Sequence, residues 1–277
     1  MNRYAGLAKT WRALPAAILA VAVLVPSGAV AEPRDDKWKF RFDLYAWLPS
    51  VGGKTTFPDA SDGSDVSVDA DQLLDNINGV FMGGFAAQKG RWGAFTDLLY
   101  LDINNDKSST RSVSFTGFDI PANASLSTSF DLSGWVWTAA GTYTVIQKPH
   151  YNLDVLGGFR YLQVDEKLNW DFSGNIGSIP LQSRSGNASD KQEFWDAIVG
   201  VRGRAKIGAS KWFVPYYLDV GTGQSDFTWQ TMAGVGYAFR PVDLVVAYRY
   251  LDWNFGSDQA IEDLNFSGGL VGVAFHF

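Results

Sequence analysis

The sequence contains no cysteine. That excludes a disulfide framework and a lipid-anchored N-terminal cysteine, so backbone pairing and packing alone must hold the chain together. Histidine is almost missing: His150 and His276 are the only two among 277 residues. Beyond residue 31, no stretch approaches the ~20 consecutive apolar residues that a membrane-spanning helix needs, and mean hydropathy is only −0.07. Helix-type periodicity is scarce. Basic residues are in the minority, 23 against 29 acidic, for a net charge of −6. An acidic chain offers no support for nucleic-acid binding, which requires a basic face.

The N-terminus differs from the rest. "MNRYAGLAKTWR" carries Arg3, Lys9 and Arg12 without an acid, and "ALPAAILAVAVLV" follows as a short apolar run. Pro26 and Gly28 then interrupt it before Ala29-Val30-Ala31, a small-x-small site. This pattern predicts a secretory signal peptide over residues 1–31, cut after Ala31, and a single domain over 32–277. Removing it takes three basic residues and no acid, which leaves the exported domain at −9.

Aromatics make up 15% of the chain and glycines number 29, and both fall into period-two alternation. "KWKFRFDLYAWLP" sets Trp38, Phe40, Phe42, Leu44, Ala46 and Leu48 against Lys39, Arg41, Asp43, Tyr45 and Trp47. "EFWDAIVGVRGRA" sets Trp195, Ala197, Val199 and Val201 against Asp196, Gly200, Arg202 and Arg204. "NLDVLGGFRYL", "TWQTMAGVGYAF" and "DLVVAYRYL" repeat the pattern. A soluble sandwich would put the apolar face inward and a broadly hydrophilic face outward, with few glycines. Here one face is apolar with aromatics toward its ends, while the other mixes glycine with isolated charges. That is the arrangement of a barrel whose outside meets lipid and whose crowded interior is polar. A lipid-facing arginine costs about 2–4 kcal/mol at the midplane, so the charged face must turn inward.

Ten strands are predicted, near 37–49, 79–88, 91–103, 125–147, 151–168, 191–206, 211–220, 226–239, 242–255 and 264–277. The fold class is therefore all-β, a closed antiparallel transmembrane β-barrel of ten strands. Eight is the alternative should the second and third strands be misread, because Gly83, Gly84 and "DLLYLD" leave their facing ambiguous. Connections are short at 89–90, 148–150, 208–210 and 240–242, and long at 50–78, 104–124, 169–190 and 256–263; "GTGQS" at 221–225 is a short exception. Tight periplasmic turns and longer external loops follow this rule, which places both termini in the periplasm.

The chain ends on "NFSGGLVGVAFHF", with Val271, Val273, Phe275 and Phe277 at alternate positions. This ending resembles the assembly signal of bacterial outer-membrane barrels, although Gly269 lacks a side chain where the pattern would continue. The resemblance implies the barrel-assembly machinery and periplasmic chaperones as partners, and outer-membrane lipids and lipopolysaccharide as surroundings. More widely, "FWDAIVGVRGR", "YYLDVGTGQSDFTWQ" and "AYRYLDWNF" resemble a family of small proteobacterial outer-membrane proteins, most without assigned activity. Barrel hydrolases of similar size are the omptin proteases, outer-membrane phospholipase A, the lipid A deacylases and the lipid A palmitoyltransferase. Each uses a histidine at or near the outer rim, a base tunable near neutral pH. Here His150 and His276 both map to the periplasmic end, which argues against an enzyme of these types. No cofactor or metal is expected.

Parity places Lys39, Arg41, Arg160, Arg202, Arg204 and Arg249 in the lumen with Asp43, Asp97, Asp154, Asp196 and Asp219. Confined charges require partners. Aligning neighbouring strands sets Asp154 opposite Arg204, Arg160 diagonal to Asp196, and Arg202 diagonal to Asp219. A nearly neutral interior of ten strands predicts a plugged or very narrow lumen and a structural or interaction role. The alternative is a narrow, porin-like channel with the arginines and aspartates as its polar path, and an outer-membrane hydrolase ranks third.

Weaker signals remain. "DVGTG" at 219–223 holds Gly-x-Gly, but no helix pattern follows, so a hairpin loop is the better reading. "NAS" at 123–125 and 187–189 has the form of a glycosylation sequon, whose setting is a eukaryotic secretory protein. Residues 59–77 concentrate Asp59, Asp62, Asp65, Asp69, Asp71 and Asp75 at spacings that depart from a calcium loop. They read as a solvated acidic external loop, with divalent-cation bridging to lipopolysaccharide as the sharper alternative. Asp69 is positioned to cap a helical turn carrying Leu73, Leu74 and Ile77.

Overall fold

A computed structural model describes residues 37–55, 64–68, 77–105, 124–176, 179–180, 184–256 and 261–277. The predicted signal peptide, most of the acidic 59–77 stretch and the helical turn expected after Asp69 lie outside these residues, except that Ile77, expected on that turn, opens a strand instead. Among the described residues, ten strands form the wall: β1 (Trp38–Thr55), β3 (Ile77–Lys89), β4 (Trp92–Asn105), β5 (Ala124–Gln147), β6 (Tyr151–Ile176), β8 (Arg184–Lys206), β9 (Trp212–Gly223), β10 (Phe227–Ala238), β11 (Val242–Asn254) and β12 (Ile261–His276). Two short strands, β2 (Ser64–Val68) and β7 (Ile179–Pro180), extend β1 and β6. Each wall strand pairs antiparallel with the next, and β12 returns to β1. The barrel is closed.

All ten predicted strands are present, and the eight-strand alternative is excluded. Gly84 pairs with Asp97, and Phe42 with Phe85, which settles the facing of β3 and β4. Two of the predicted long links are shorter than expected. β1 runs on to Thr55 and pairs with β2, inside the span read as a loop over 50–78. β6 and β8 continue pairing through Phe172–Arg184, inside the span read as 169–190. Ser, Asn, Asp and Gly dominate these extensions. The start of β8, Arg184 to Asp190, lacks the apolar alternation of a lipid-facing strand, although β6 keeps it at Leu168, Trp170 and Phe172, so the period-two reading of this pair stops where the ladder does not.

The seam between β1 and β12 runs in register from Arg41 opposite His276 to Lys54 opposite Asp263. At its end Phe40 and Phe277 exchange both backbone hydrogen bonds, at 3.1 and 3.0 Å. The four compact turns join β3–β4, β5–β6, β8–β9 and β10–β11 at one end, hereafter the turn side. Gly90 and Gly208 serve two of them with φ of 61° and 59°, left-handed values that disfavour a side chain.

The outer surface is an apolar belt between two aromatic girdles. Near the turn side Trp38, Phe40 and Phe85 stack, Trp92 meets Tyr143 at 4.8 Å, and Trp212, Tyr237 and Phe239 follow. Near the opposite, loop side lie Tyr100 and Trp135 at 4.3 Å, the Trp137–Phe159–Trp195–Tyr161 group, and Trp229 with Tyr250. Trp92 and Tyr100 are eight residues apart on β4; at about 3.3 Å per residue and a tilt of about 40°, that separates the girdles by roughly 20 Å. Between them Val199, Val246 and Val271 are 60%, 63% and 58% exposed. Such exposure of branched apolar side chains suits hydrocarbon, not water.

Val246→Arg should destabilise the folded barrel by about 2–4 kcal/mol, because it puts a charge on the lipid face near mid-belt. Urea titration of the folded protein in lipid vesicles, followed by tryptophan fluorescence, measures this.

Candidate functional site: the lumen

The inward face divides into three layers. The loop-side half is apolar. Trp47, Met82, Leu162, Phe194, Leu251 and Trp253 belong to one buried cluster that draws side chains from β1, β3, β4, β5, β6, β8, β11 and β12. Leu251 and Trp253 are wholly buried. Trp47 fixes its ring by donating Nε1–H to the Gly268 carbonyl, 3.2 Å away. These side chains meet across the lumen, so it is filled here as the interior of a small domain is filled.

Below lies a polar layer. Arg160 on β6 forms an ion pair with Asp219 on β9 at 2.5 Å, and both side chains are wholly buried. It also donates to Thr228 Oγ1 at 3.0 Å and to Gln230 Oε1 at 3.3 Å, both on β10. Gln230 Oε1 accepts a second bond, 2.9 Å, from Arg249 on β11. Arg249 continues to Asp97 on β4 at 2.9 Å and to the Tyr45 hydroxyl on β1 at 3.0 Å, and Tyr45 in turn donates to Asp97 at 2.7 Å. One chain of charge-assisted bonds therefore runs Asp219–Arg160–Gln230–Arg249–Asp97–Tyr45 across the barrel. Both guanidinium carbons lie over indoles of the apolar layer, Arg160 5.8 Å from the Trp253 centroid and Arg249 4.9 Å from that of Trp47. Planar guanidinium suits this double duty of stacking and edge-on hydrogen bonding.

The turn-side third is open. A cavity of ≈ 200 Å³ beneath Arg249 and Gln230 continues into a vestibule of ≈ 460 Å³. The two share Arg41, Asn152, Asp154, Arg202 and Arg204 as walls. On one side of this space Arg204 bonds Asp243 at 2.8 Å, and His276 Nε2 lies 2.9 Å from the same carboxylate oxygen. The Arg204 guanidinium stacks 3.7 Å above the Phe213 ring, and that ring fills the space where a Cβ would stand at Gly236. Glycine is required there because the aromatic occupies its side-chain volume.

The sequence-derived lumen charges all line this interior, but their pairing differs from expectation. Asp154 stands opposite Arg202, not Arg204, because the β6–β8 register is shifted by two residues from the assumed alignment; its carboxylate accepts from the Thr144 hydroxyl at 2.7 Å. Arg160 is directly opposite Asp196 rather than diagonal to it, yet its guanidinium reaches Asp219, while Asp196 accepts from the Ser225 N–H at 2.9 Å. Arg202 does lie diagonal to Asp219, since Gly200 is the residue opposite that aspartate, but Arg160 holds the carboxylate. Arg41 and Asp43 pair along their own strand at 2.7 Å. The assembly-signal residues Val271, Val273, Phe275 and Phe277 alternate with buried Leu270 and Ala274, and Val271 and Phe277 are exposed on the outer face. Sequence reasoning missed Asp243, although stepping back by twos from Arg249 reaches it. Gln230 was placed inward by parity, but nothing in the sequence marks it as the bridge between two arginines.

Asp219→Asn should cost about 3–5 kcal/mol, because it leaves the buried Arg160 charge without its counter-ion. The same urea titration reads it, and Asp43→Asn, at a half-exposed pair, should cost far less.

No protein-family model matches the chain, and no curated protein matches it. Among solved structures it is similar to the outer membrane protease OmpT of Escherichia coli, at 8% identity and a TM-score of 0.53, over 90% of this chain and 99% of that one. The toluene transporter TodX of P. putida aligns at 8% identity, over 88% of this chain and 90% of its own, but with a TM-score of 0.33. Ail, the attachment invasion locus protein of Yersinia pestis, aligns at 10% identity over 87% and 99%, with a TM-score of 0.28. At such scores the last two carry no weight, and the first speaks for the fold alone. The closed ten-strand wall, its girdled apolar belt and this likeness together give the chain the fold of the bacterial outer-membrane β-barrels.

Proposed function

We propose that this protein is a non-enzymatic, non-conducting barrel of the bacterial outer membrane, with a structural or interaction role. One observation carries the reading: apolar side chains from eight strands meet across the loop-side half of the lumen. A water path would have to part Trp47, Leu251 and Trp253 and then break the Arg160–Gln230–Arg249 chain beneath them. Small barrels with interiors packed in this way seal the membrane they cross. On this reading the turn side, with both ends of the described chain, faces the periplasm, and residues 1–31 are the export signal. The outward-facing Val271, Val273, Phe275 and Phe277 of β12 are then presented to the barrel-assembly machinery, after escort by periplasmic chaperones. Lipids and lipopolysaccharide contact the belt and the loop side.

The absence of catalysis rests on chemistry. His276 shares one Asp243 oxygen with Arg204. That carboxylate is already held by a guanidinium and is not free to orient the imidazole alone, so the pair lacks the arrangement of a general base with its own carboxylate partner. His150 sits in the β5–β6 turn.

Planar-bilayer recording tests the sealed lumen. The folded wild-type protein should give no unitary current steps, and Trp47→Ala combined with Trp253→Ala should give them by hollowing the apolar layer. Stable steps from the wild type would favour the channel reading instead.

A further inference from the structure

The turn-side vestibule has a charge balance unlike the rest of the molecule. Its walls carry Lys39, Arg41, Lys148, Arg202, Arg204 and Lys206, against the single carboxylate of Asp154. Even with the adjoining Asp43 and Asp243 counted, cations outnumber carboxylates two to one, in a chain whose net charge is −6. Low-dielectric walls around such a space concentrate its positive potential at the mouth.

Arg202 gives that potential a focus. It lines both the vestibule and the inner cavity. Its guanidinium carbon lies over the Phe95 ring, 4.6 Å from the centroid, a contact that holds the group at the wall of both spaces. Asp154, directly opposite it in register, accepts from the Thr144 hydroxyl, and Asp43 across the lumen is paired with Arg41. Among the described residues Arg202 makes no hydrogen bond or ion pair. Every other lumen arginine has a carboxylate partner: Arg41, Arg160, Arg204 and Arg249 pair with Asp43, Asp219, Asp243 and Asp97. Asp154 and Asp43 act on it through space, but its N–H donors bond neither, and a confined guanidinium gains from an anion that fills them.

We propose that the turn-side vestibule is a binding site for a small polyanionic solute bearing phosphate or carboxylate groups, with Arg202 as its anchor. The guanidinium fork takes one anionic group in bidentate fashion, while Lys148 and Lys206 at the mouth draw the ligand in and neutralise its remaining charge. A volume of ≈ 460 Å³ accepts a compact ligand and excludes a folded macromolecule. The site is a dead end, closed above by Arg249, Gln230 and Leu270. The inference goes beyond the sealed-barrel reading and stands apart from it, since bilayer current tests the seal and binding in micelles tests the vestibule.

Isothermal titration calorimetry of the detergent-folded chain at low ionic strength decides it, with pyrophosphate and citrate as anionic probes and sucrose as the neutral one. One saturable site is expected for an anion and none for sucrose, with affinity falling as salt rises. Binding of pyrophosphate alone assigns a phosphate site, and binding of citrate alone a carboxylate site. Arg202→Gln should weaken binding about tenfold or more, the loss of a charge-assisted contact. Lys148→Gln with Lys206→Gln should weaken it by a smaller factor, and Lys211→Gln, outside the vestibule, should leave it unchanged. Heat-modifiable gel mobility confirms that each variant is folded, and the lysine pair provides the test should Arg202→Gln misfold. No heat with either anion, equal binding of sucrose, or unchanged affinity in the folded Arg202→Gln and lysine variants overturns the proposal.

Discussion

A strand exposed to hydrocarbon has nowhere to place an unpaired N–H or C=O, and each one left open costs several kcal/mol. The β1–β12 seam meets that constraint for the whole molecule. Its register from Arg41–His276 to Lys54–Asp263, continued by the reciprocal Phe40–Phe277 bonds, converts a sheet with two edges into a wall with none. Everything else follows from the closure. Once the wall is continuous, the side of each residue is fixed by parity, and a one-residue slip would turn Arg249 to lipid and Val246 to the lumen.

Closure also creates an interior that must be filled. The protein fills it by layers, with an apolar plug toward the loops and a polar chain below it. The layers support each other, because Trp47 and Trp253 form the floor of the plug and the faces on which Arg249 and Arg160 lie. Gln230 links the two arginines through one oxygen, so the strands β6, β9 and β10 are tied to β1, β4 and β11 through a single amide. Such networks are rigid when complete and costly when broken.

Much of this was legible in the sequence, because a membrane barrel writes its geometry with a period of two. Trp38 to Leu48 and Leu244 to Tyr250 announce which face meets lipid, and Arg160, Arg202 and Arg249 announce which does not. The limits were equally physical. Parity says which wall a charge lines but not how far a flexible guanidinium reaches. Arg160 therefore passes Asp196 directly opposite and takes Asp219 one strand further on. A β6–β8 register shifted by two residues from the assumed alignment put Arg202, rather than Arg204, in front of Asp154. Past the girdles the lipid constraint ends, and β6 goes on pairing with a β8 segment, Arg184 to Asp190, that no apolar alternation marks.

Among the described residues the vestibule narrows upward to a roof of Arg249, Gln230 and Leu270 and opens at the short turns. On the sealed-barrel reading, a molecule that enters such a cul-de-sac must back out by the way it came. Arrival and departure then share one doorway, so occupancy tracks concentration on that side of the wall alone. What lies beyond the opposite rim has no vote in it.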